Sequence, residues 1–397
     1  MLYDVKGARA FHQAQASSAE QVGVKALDDF TLSVELERPT SYFLHVLAYG
    51  AAYPVPRHVV KAQGAAWTHV GHIVTNGPFQ LESWQPSRSL ILTRNPGYRG
   101  QFGGNVQRVE LSLLQDRSAH LKLYEADRMD ILGGPIPPTE FDRVRHRHAG
   151  EYVSAPGPSI LYIGLDPTRP PFDDRRVRQA LAYAIDRETL AEVAMRGFGS
   201  PATGGAVPPG IPGHSTGIGL PYDPDRARQL LAEAGYPGGH GIAPIDAWAN
   251  SSEWGRPLNE YLQTQWRDKL GVRITWNVME WAAFLARIEE SPPLVFRMTW
   301  LPEYPDPDAF MRVAFRQRYH RWQNAAYDEL IEAARQIAAP SERIKMYQAA
   351  DRILVEEAAF IPLMYGRWHM LVKPWVRQFP TLPMRNWFWK DVVIEPH

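Results

Sequence analysis

Hydrophobic periodicity changes several times along this chain, and each change marks an element. Over residues 1–25 the apolar positions Leu2, Val5, Ala8, Phe11 and Ala14 recur at helical spacing. From Leu27 the pattern turns at Asp28-Asp29 and then alternates. Phe30, Leu32, Val34 and Leu36 stand between polar neighbours, which predicts a half-buried strand ended by Pro39. A short helix is expected over 42–47, and Pro54 and Pro56 bracket a turn. Gly77-Pro78 opens a hairpin of strands over 79–84 and 89–94. Strands over 109–114 and 129–132 flank a helix over 119–128, and such alternation is the mark of an α/β sheet.

The pattern restarts at Ile160. Leu161 to Leu165 read as an apolar strand and Pro170-Pro171-Phe172 as a rigid turn. Asp173 and Asp174 can cap a helix whose Val177, Leu181, Ala184 and Ile185 share one face; Asp186 caps the next, with Leu190 and Val193. Residues 197–212 are rich in glycine and proline and show no period. Asp223 followed by Pro224 opens a helix that Gly235 closes. Leu258, Tyr261, Leu262, Trp266 and Leu270 make one face of a helix ending at Gly271. Val272, Ile274, Trp276 and Val278 then alternate as a strand, followed by a helix over 281–288. A strand over 295–300, helices over 327–337 and 341–355, a strand over 360–365 and an aromatic, proline-rich tail complete the chain. The coarse picture is two α/β lobes with a boundary near residue 160 and a tail, after about 366, long enough to return to the first lobe. Crossing between lobes more than once leaves a cleft, a favoured position for ligands.

Composition narrows the function classes. A chain of 397 residues has room for two or three domains. Basic and acidic residues balance at 43 each, which argues against a polyanionic partner such as nucleic acid. With no cysteine there are no disulfides, thiolate metal sites or cysteine nucleophile. The 13 tryptophans and 17 tyrosines supply flat apolar faces with polar handles. No apolar run reaches the ~18–20 residues of a membrane span, and the first residues lack a signal pattern.

The stretch from Val295 to Pro307 concentrates the candidate chemistry. A buried strand carrying Arg297 and Trp300 empties into a loop bearing Glu303, Tyr304 and Asp306 among prolines. Ligands sit at the ends of such strands in open α/β sheets. Carboxylate for an ammonium, guanidinium for a carboxylate and aromatics between them are what a binder of zwitterions requires; a strand, an acidic turn and a packed tryptophan would give the same residues. Gly213-His214-Ser215-Thr216-Gly217 fits G-x-S-x-G, but a nucleophile elbow needs a strand before it and a helix after it, and Pro209, Pro212 and Pro221 oppose both. The His69/His72 and His146/His148 pairs lack a third ligand at metal spacing, and Asp306 and Asp308 lack the glycine and distal glutamate of a calcium loop. Neither a P-loop nor a dinucleotide fingerprint is present.

Several stretches together resemble the solute-binding proteins of ABC importers, family 5, which carry oligopeptides, dipeptides and related solutes. They are Val24 to Leu32, Ile73 to Phe79 (IVTNGPF), Leu92 to Tyr98 (LTRNPGY), Phe172 to Leu181 (FDDRRVRQAL) and Ala232 to Tyr236. Glu280-Trp281, Trp300 to Pro307, Tyr327-Asp328 and Leu371 to Trp375 (LVKPW) complete the set. The resemblance spans the chain and is greatest to the oligopeptide-binding branch. It implies an α/β, two-lobed fold like the periplasmic binding proteins of type II, with hinged lobes around an interlobe cleft. Residues 1–50 would be the remnant of a small N-terminal subdomain, 51–159 part of lobe I, 160–365 lobe II, and 366–397 the return to lobe I.

The function implied is capture of a peptide and its delivery to ABC permease subunits, by a protein of the periplasm or cell surface that is monomeric when complete. Neither catalysis, cofactor, metal nor membrane insertion belongs to that role. Glu303 stands where the peptide binders place an aspartate for the ligand's α-ammonium, with one methylene more of reach. Arg297 matches an arginine that meets the ligand's carboxylate, a pairing favoured by bidentate geometry. Trp300, Trp281 and Tyr162 match pocket-lining aromatics, Tyr304 and Asp306 lie beside them, and Asn324 sits where the family often has an asparagine. The histidine that the oligopeptide branch turns to ligand carboxylates is missing; the corresponding region reads Glu253-Trp254-Gly255-Arg256. Alternatives are the same fold with a sugar, opine or metal chelate, or a serine hydrolase built on Ser215.

The family normally carries a signal and a substantial segment before the stretch at Val24. Its absence here leads to an expectation of uncovered sheet edges and apolar surface in the first lobe. Self-association is the expected outcome, and light scattering that showed a clean monomer would contradict it.

Overall fold

The computed structural model describes residues 2–134, 136–315, 320–379 and 388–397. It divides into two units, Met1–Tyr53 with Gly157–Gly366, and Pro54–Pro156 with Arg367–His397. In chain order the strands are β1 (Val24–Ala26), β2 (Leu32–Val34), β3 (Phe79–Gln85), β4 (Ser89–Arg94), β5 (Arg108–Ser112), β6 (Ile131–Leu132) and β7 (Tyr152–Leu165). They continue with β8 (Gly199–Pro201), β9 (Ile245–Asn250), β10 (Ile274–Met279), β11 (Val295–Trp300), β12 (Phe360–Val372), β13 (Val376–Arg377) and β14 (Val393–Ile394). The backbone passes from one unit to the other along β7 and along β12.

In the larger unit the sheet order is β10-β9-β11-β7-β12, with β8 pairing β12. β9, β10 and β11 run parallel, and β7 runs antiparallel to β11. The three parallel strands are joined by the helices Gly255–Leu270 and Trp281–Glu290, as parallel connection requires. Phe296 lies opposite Gly164 across β11 and β7, and a Cβ at 164 would stand 2.0 Å from the phenylalanine ring, so only glycine admits that ring. The smaller unit holds the antiparallel sheet β3-β4-β5, the β13–β14 pair, and β6 against the end of β12.

Helix starts follow the acidic N-cap pattern. The side chain of Asp174 accepts from the Arg176 N–H, that of Asp186 from Glu188 and Thr189, and that of Asp223 from Arg226, with Pro224 in the first turn. Gly271, at φ 70°, closes Gly255–Leu270 in the left-handed conformation that favours glycine. Phe284, Phe296, Phe310, Phe315, Tyr327 and Phe360 belong to the main core of the larger unit, and Val5, Tyr42, Phe43 and Val46 join it.

Three expectations need correction. The run after Leu27 forms only the short strand β2, which pairs with β1 from before Leu27 across the Asp28-Asp29 turn; Phe30 at the tip is 99% exposed. Alternation marked burial only at its far end: Val34 and Leu36 pack against the main core, while Phe30 and Leu32 reach past it into solvent. The strand expected from Ile160 starts at Tyr152, since polar residues and two prolines in its first half hide the period. Residues 199–201 form β8 within the glycine–proline stretch, held by register to Met364–Gly366 on β12. Among the described residues no helix is long and apolar enough to cross a membrane.

The glycine–proline loop around residues 202–219 rests on a buried acid. Asp351, on helix Pro340–Glu356, is fully buried and accepts the Ala206 N–H at 2.7 Å. Gly205 allows this approach, for a Cβ there would overlap the carboxylate. Among the described residues no cation offsets the charge. Burial therefore pushes the Asp351 carboxyl up to about 7, against smaller opposing pulls from the Ala206 N–H and the Ser215 hydroxyl. Because the folded value lies above the ordinary 3.8, the protonated form is favoured by folding. That contribution is full below about pH 4 and is lost as pH rises through about 7, a span worth roughly 4 kcal/mol. Asp351→Asn removes the titration, so its stability relative to the parent should rise steadily between pH 5 and 8 in urea denaturation. Parallel stability profiles for the two proteins would contradict this assignment.

Candidate functional site

Parallel register brings one set of chain segments to a single end of the larger unit's sheet. Met279 pairs with Asn250, and Arg297 with Ala249, so the carboxyl ends of β9, β10 and β11 emerge together. The segments leaving that end are Ser251–Trp254, Glu280-Trp281 and Leu301–Asp308. Trp281 starts its helix 45% exposed, with its ring stacked on Phe284 at 5.9 Å. Leu301 and Val278 are also exposed at this end.

Arg297 is 2% exposed, yet no carboxylate pairs with it among the described residues. Its Nη1 donates to the Gly255 carbonyl at 3.1 Å and to Asn259 Oδ1 at 2.9 Å, and Nη2 donates to the Asn250 carbonyl at 2.8 Å. All three acceptors are neutral. Burial pushes the guanidinium down to about 10, so it remains a cation at neutral pH. Gly255 permits this closeness, since a Cβ at that position would lie 3.1 Å from Nη2. The helix Gly255–Leu270 begins beside the guanidinium, and its amino end adds partial positive charge.

The loop after β11 is built differently. Asp306 receives two bonds from Arg343, at 2.7 and 2.5 Å, and accepts the Asp308 N–H. Asp308 is fully buried and accepts from Tyr304 at 2.6 Å, Tyr347 at 3.0 Å and Arg312 at 2.5 Å. Burial alone would raise the Asp308 carboxyl; Arg312 and the two phenols outweigh it and hold it below the usual range. Tyr304 stacks on Tyr42 at 5.2 Å, and the Tyr42 hydroxyl donates to Asp4, which also pairs with Arg335. The carboxylates of Asp4, Asp306 and Asp308 thus meet the guanidinia of Arg335, Arg343 and Arg312 in one buried network.

The remaining sequence candidates divide between the sheet end and the core. Glu303 is half-buried on the same loop. Trp300 is buried and gives its indole N–H to the Ala309 carbonyl at 3.0 Å. Tyr162 lies inside the sheet opposite Met298, fully buried, with its hydroxyl 3.2 Å from His320 Nε2. Asn324 caps helix Ala325–Gln336 by accepting the Tyr327 N–H. Arg297, Trp281, Trp300 and Glu303 therefore share one end of the sheet, while Tyr304 and Asp306 face the buried network. Ser215 is buried in a loop, without the strand and helix a nucleophile elbow needs. A separate groove of about 760 Å³, lined by Arg169, Asp246, Trp248, Asn277 and Arg287, includes none of the candidates.

Sequence reasoning missed the partners of Arg297, namely Asn250, Gly255 and Asn259. Ile245, Ala247 and Ala249 do alternate with Asp246, Trp248 and Asn250 and could have marked β9, whose last residue is Asn250. Asn259 falls on the same helical face as Gly255, four residues on, and no local pattern sets it apart.

This is the architecture of a solute-binding protein. Residues 3–319 match the family model described as bacterial extracellular solute-binding proteins, family 5 middle, and the chain belongs to that family. Its members are binding proteins of ABC transport, without enzymatic activity. Among relatives, the chain is 29% identical over 397 residues to the probable deoxycholate-binding periplasmic protein YgiS of Escherichia coli, covering 97% of this chain and 73% of that one. It is 27% identical over 394 residues to the periplasmic oligopeptide-binding protein OppA of Salmonella typhimurium, covering 96% and 71%. The solved Escherichia coli murein tripeptide binding protein MppA superposes with a TM-score of 0.80 at 25% identity, covering 100% and 79%.

The network makes a stability prediction. Asp308→Asn leaves Arg312 buried without its carboxylate and should cost about 3–5 kcal/mol in urea denaturation. Tyr347→Phe, which removes one hydroxyl donor, should cost about 1 kcal/mol. Equal and small losses for both would show that the network adds little to folding.

Proposed function

We propose that this protein captures small peptides at the carboxyl ends of β9, β10 and β11 and delivers them to an ABC permease. The observation that carries this reading is Arg297: a buried guanidinium whose protein partners are all neutral attracts a carboxylate more strongly than one already paired. Glu303 would answer the ligand's ammonium, and Trp281 and Leu301 would offer apolar contact. Relatives named for oligopeptides, a murein peptide and glutathione support a peptide. Their periplasmic names support action outside the cytoplasmic membrane.

A second reading is favoured by the relative named for deoxycholate. Deoxycholate shares the carboxylate of a peptide and lacks its ammonium. Arg297 serves both ligands, and only the role of Glu303 separates them.

Calorimetric titration distinguishes the two. The purified chain is titrated with tripeptides of the form Ala-X-Ala, with their N-acetylated and C-terminally amidated forms, and with deoxycholate. The peptide reading expects free tripeptides to bind and Glu303→Ala to weaken them about tenfold or more, the loss of one hydrogen-bonded charge pair. N-acetylation should weaken binding to the parent to a similar degree. Tight deoxycholate binding with no peptide binding would overturn the peptide reading. Unchanged peptide affinity in Glu303→Ala would remove Glu303 from the site.

A further inference from the structure

The buried charges of the larger unit are treated in two ways. Arg343 meets Asp306 through two bonds, and Arg312 meets Asp308; both guanidinia are neutralised by carboxylates at hydrogen-bond distance. Arg297, equally buried, meets an amide oxygen where an aspartate would fit. Asn259 is 5% exposed, on the second turn of helix Gly255–Leu270, and its Oδ1 lies 2.9 Å from Arg297 Nη1. The amide orientation is fixed by its partner, because a guanidinium has only donors and the side-chain oxygen must face it. Gly255, four residues earlier, presents its carbonyl on the same helical face. Two carbonyls and one amide thus occupy three of the five guanidinium N–H groups. Nε–H and the second Nη2–H have no protein acceptor among the described residues.

We propose that Asn259 is a specificity-determining residue, orienting Arg297 through a neutral oxygen and leaving its charge to a ligand carboxylate. This rests on the reading of Arg297 given above. An aspartate has the same size and would reach the same Nη1, but it would pair with the guanidinium as Asp306 pairs with Arg343. The cation would then be held in the same place with its charge already answered. The neutral amide separates two tasks that a carboxylate would merge: it fixes the guanidinium plane and it does not compete with the solute.

The test uses the full chain and Ala-X-Ala tripeptides as free acids and as C-terminal amides. The parent should prefer the acid by about tenfold or more. In Asn259→Asp that ratio should collapse toward one, and thermal denaturation should show a melting temperature no lower than the parent's, because a new ion pair replaces a neutral bond. Arg297→Met provides the second arm. If Arg297→Met abolishes the preference and Asn259→Asp keeps it, the role assigned to Asn259 fails while that of Arg297 stands. If neither substitution changes the ratio, or no peptide binds the parent, the reading of Arg297 itself fails. If Asn259→Asp weakens acid and amide alike, Asn259 is only structural and the proposal is overturned.

Discussion

Removing charge from water is the constraint around which the larger unit is arranged. A buried ion is tolerated when a partner of opposite charge and satisfied hydrogen bonds replace its hydration. The network of Asp4, Asp306, Asp308, Arg312, Arg335 and Arg343 pairs each charge with an opposite one, and the phenols of Tyr42, Tyr304 and Tyr347 give the carboxylates further donors, although among the described residues Nε of Arg335 and of Arg343 stays unsatisfied. It also binds distant parts of the sequence together. Asp4 and Tyr42 come from the first fifty residues, whereas Arg335 and Arg343 come from two late helices. Residues 1–53 are anchored in the larger unit by these bonds as well as by Val5, Phe43 and Val46 in its core.

Against that background the unpaired ions stand apart. Arg187 is fully enclosed and donates to the carbonyls of Pro362, Ala182, Ile185 and Leu220. Ala182 lies in the last turn of helix Arg175–Tyr183, whose carboxyl end carries partial negative charge, so the fold itself answers this cation. Asp351 has the Ala206 N–H and the Ser215 hydroxyl beside it but, among the described residues, no cation, and burial raises its carboxyl to about 7. Arg297 has neither remedy. The helix end beside it is an amino end, of the same sign, and its oxygen partners carry no net charge. Three buried groups of similar exposure thus differ in what surrounds them, and only Arg297 lies at the end of the sheet where three parallel strands open.

How much of this was legible depended on whether the physics was local. Caps at Asp174, Asp186 and Asp223 were readable because an N-cap acts within three residues of itself. Strand β11 and its loop were readable because an apolar β-rich run ending in prolines has few other meanings. The division of the loop was not. Glu303 and Asp306 look alike in sequence, and what distinguishes them is an arginine thirty-seven residues further on that takes Asp306. By resemblance Tyr162 and Trp300 match aromatics of a pocket; whether an aromatic ring faces solvent or the core depends on the register of β7 against β11, which periodicity alone does not give. Asn259 escaped for the same reason: a polar residue on an apolar helical face is noticed only once its partner is known.

If Arg297 receives the solute as proposed, its unbalanced charge links stability to binding. Burial already disfavours the charged form, lowering the guanidinium to about 10, so part of the folding free energy is held in an unmet interaction. On the proposal that Arg297 receives a solute, a ligand carboxylate would meet that charge without first having to break an intramolecular ion pair. Had the position been neutralised by an aspartate, folding would gain and the solute would have to compete with an intramolecular ion pair at high effective concentration. On that proposal the amide at 259 would trade intrinsic stability for affinity, and a ligand that binds only the folded chain would return stability with the logarithm of its concentration over its dissociation constant. For a protein whose task is to hold a solute and then release it, a cation kept in place by neutral dipoles would suit that proposed role better than one held by a competing anion, because no intramolecular ion pair has to break on capture or re-form on release.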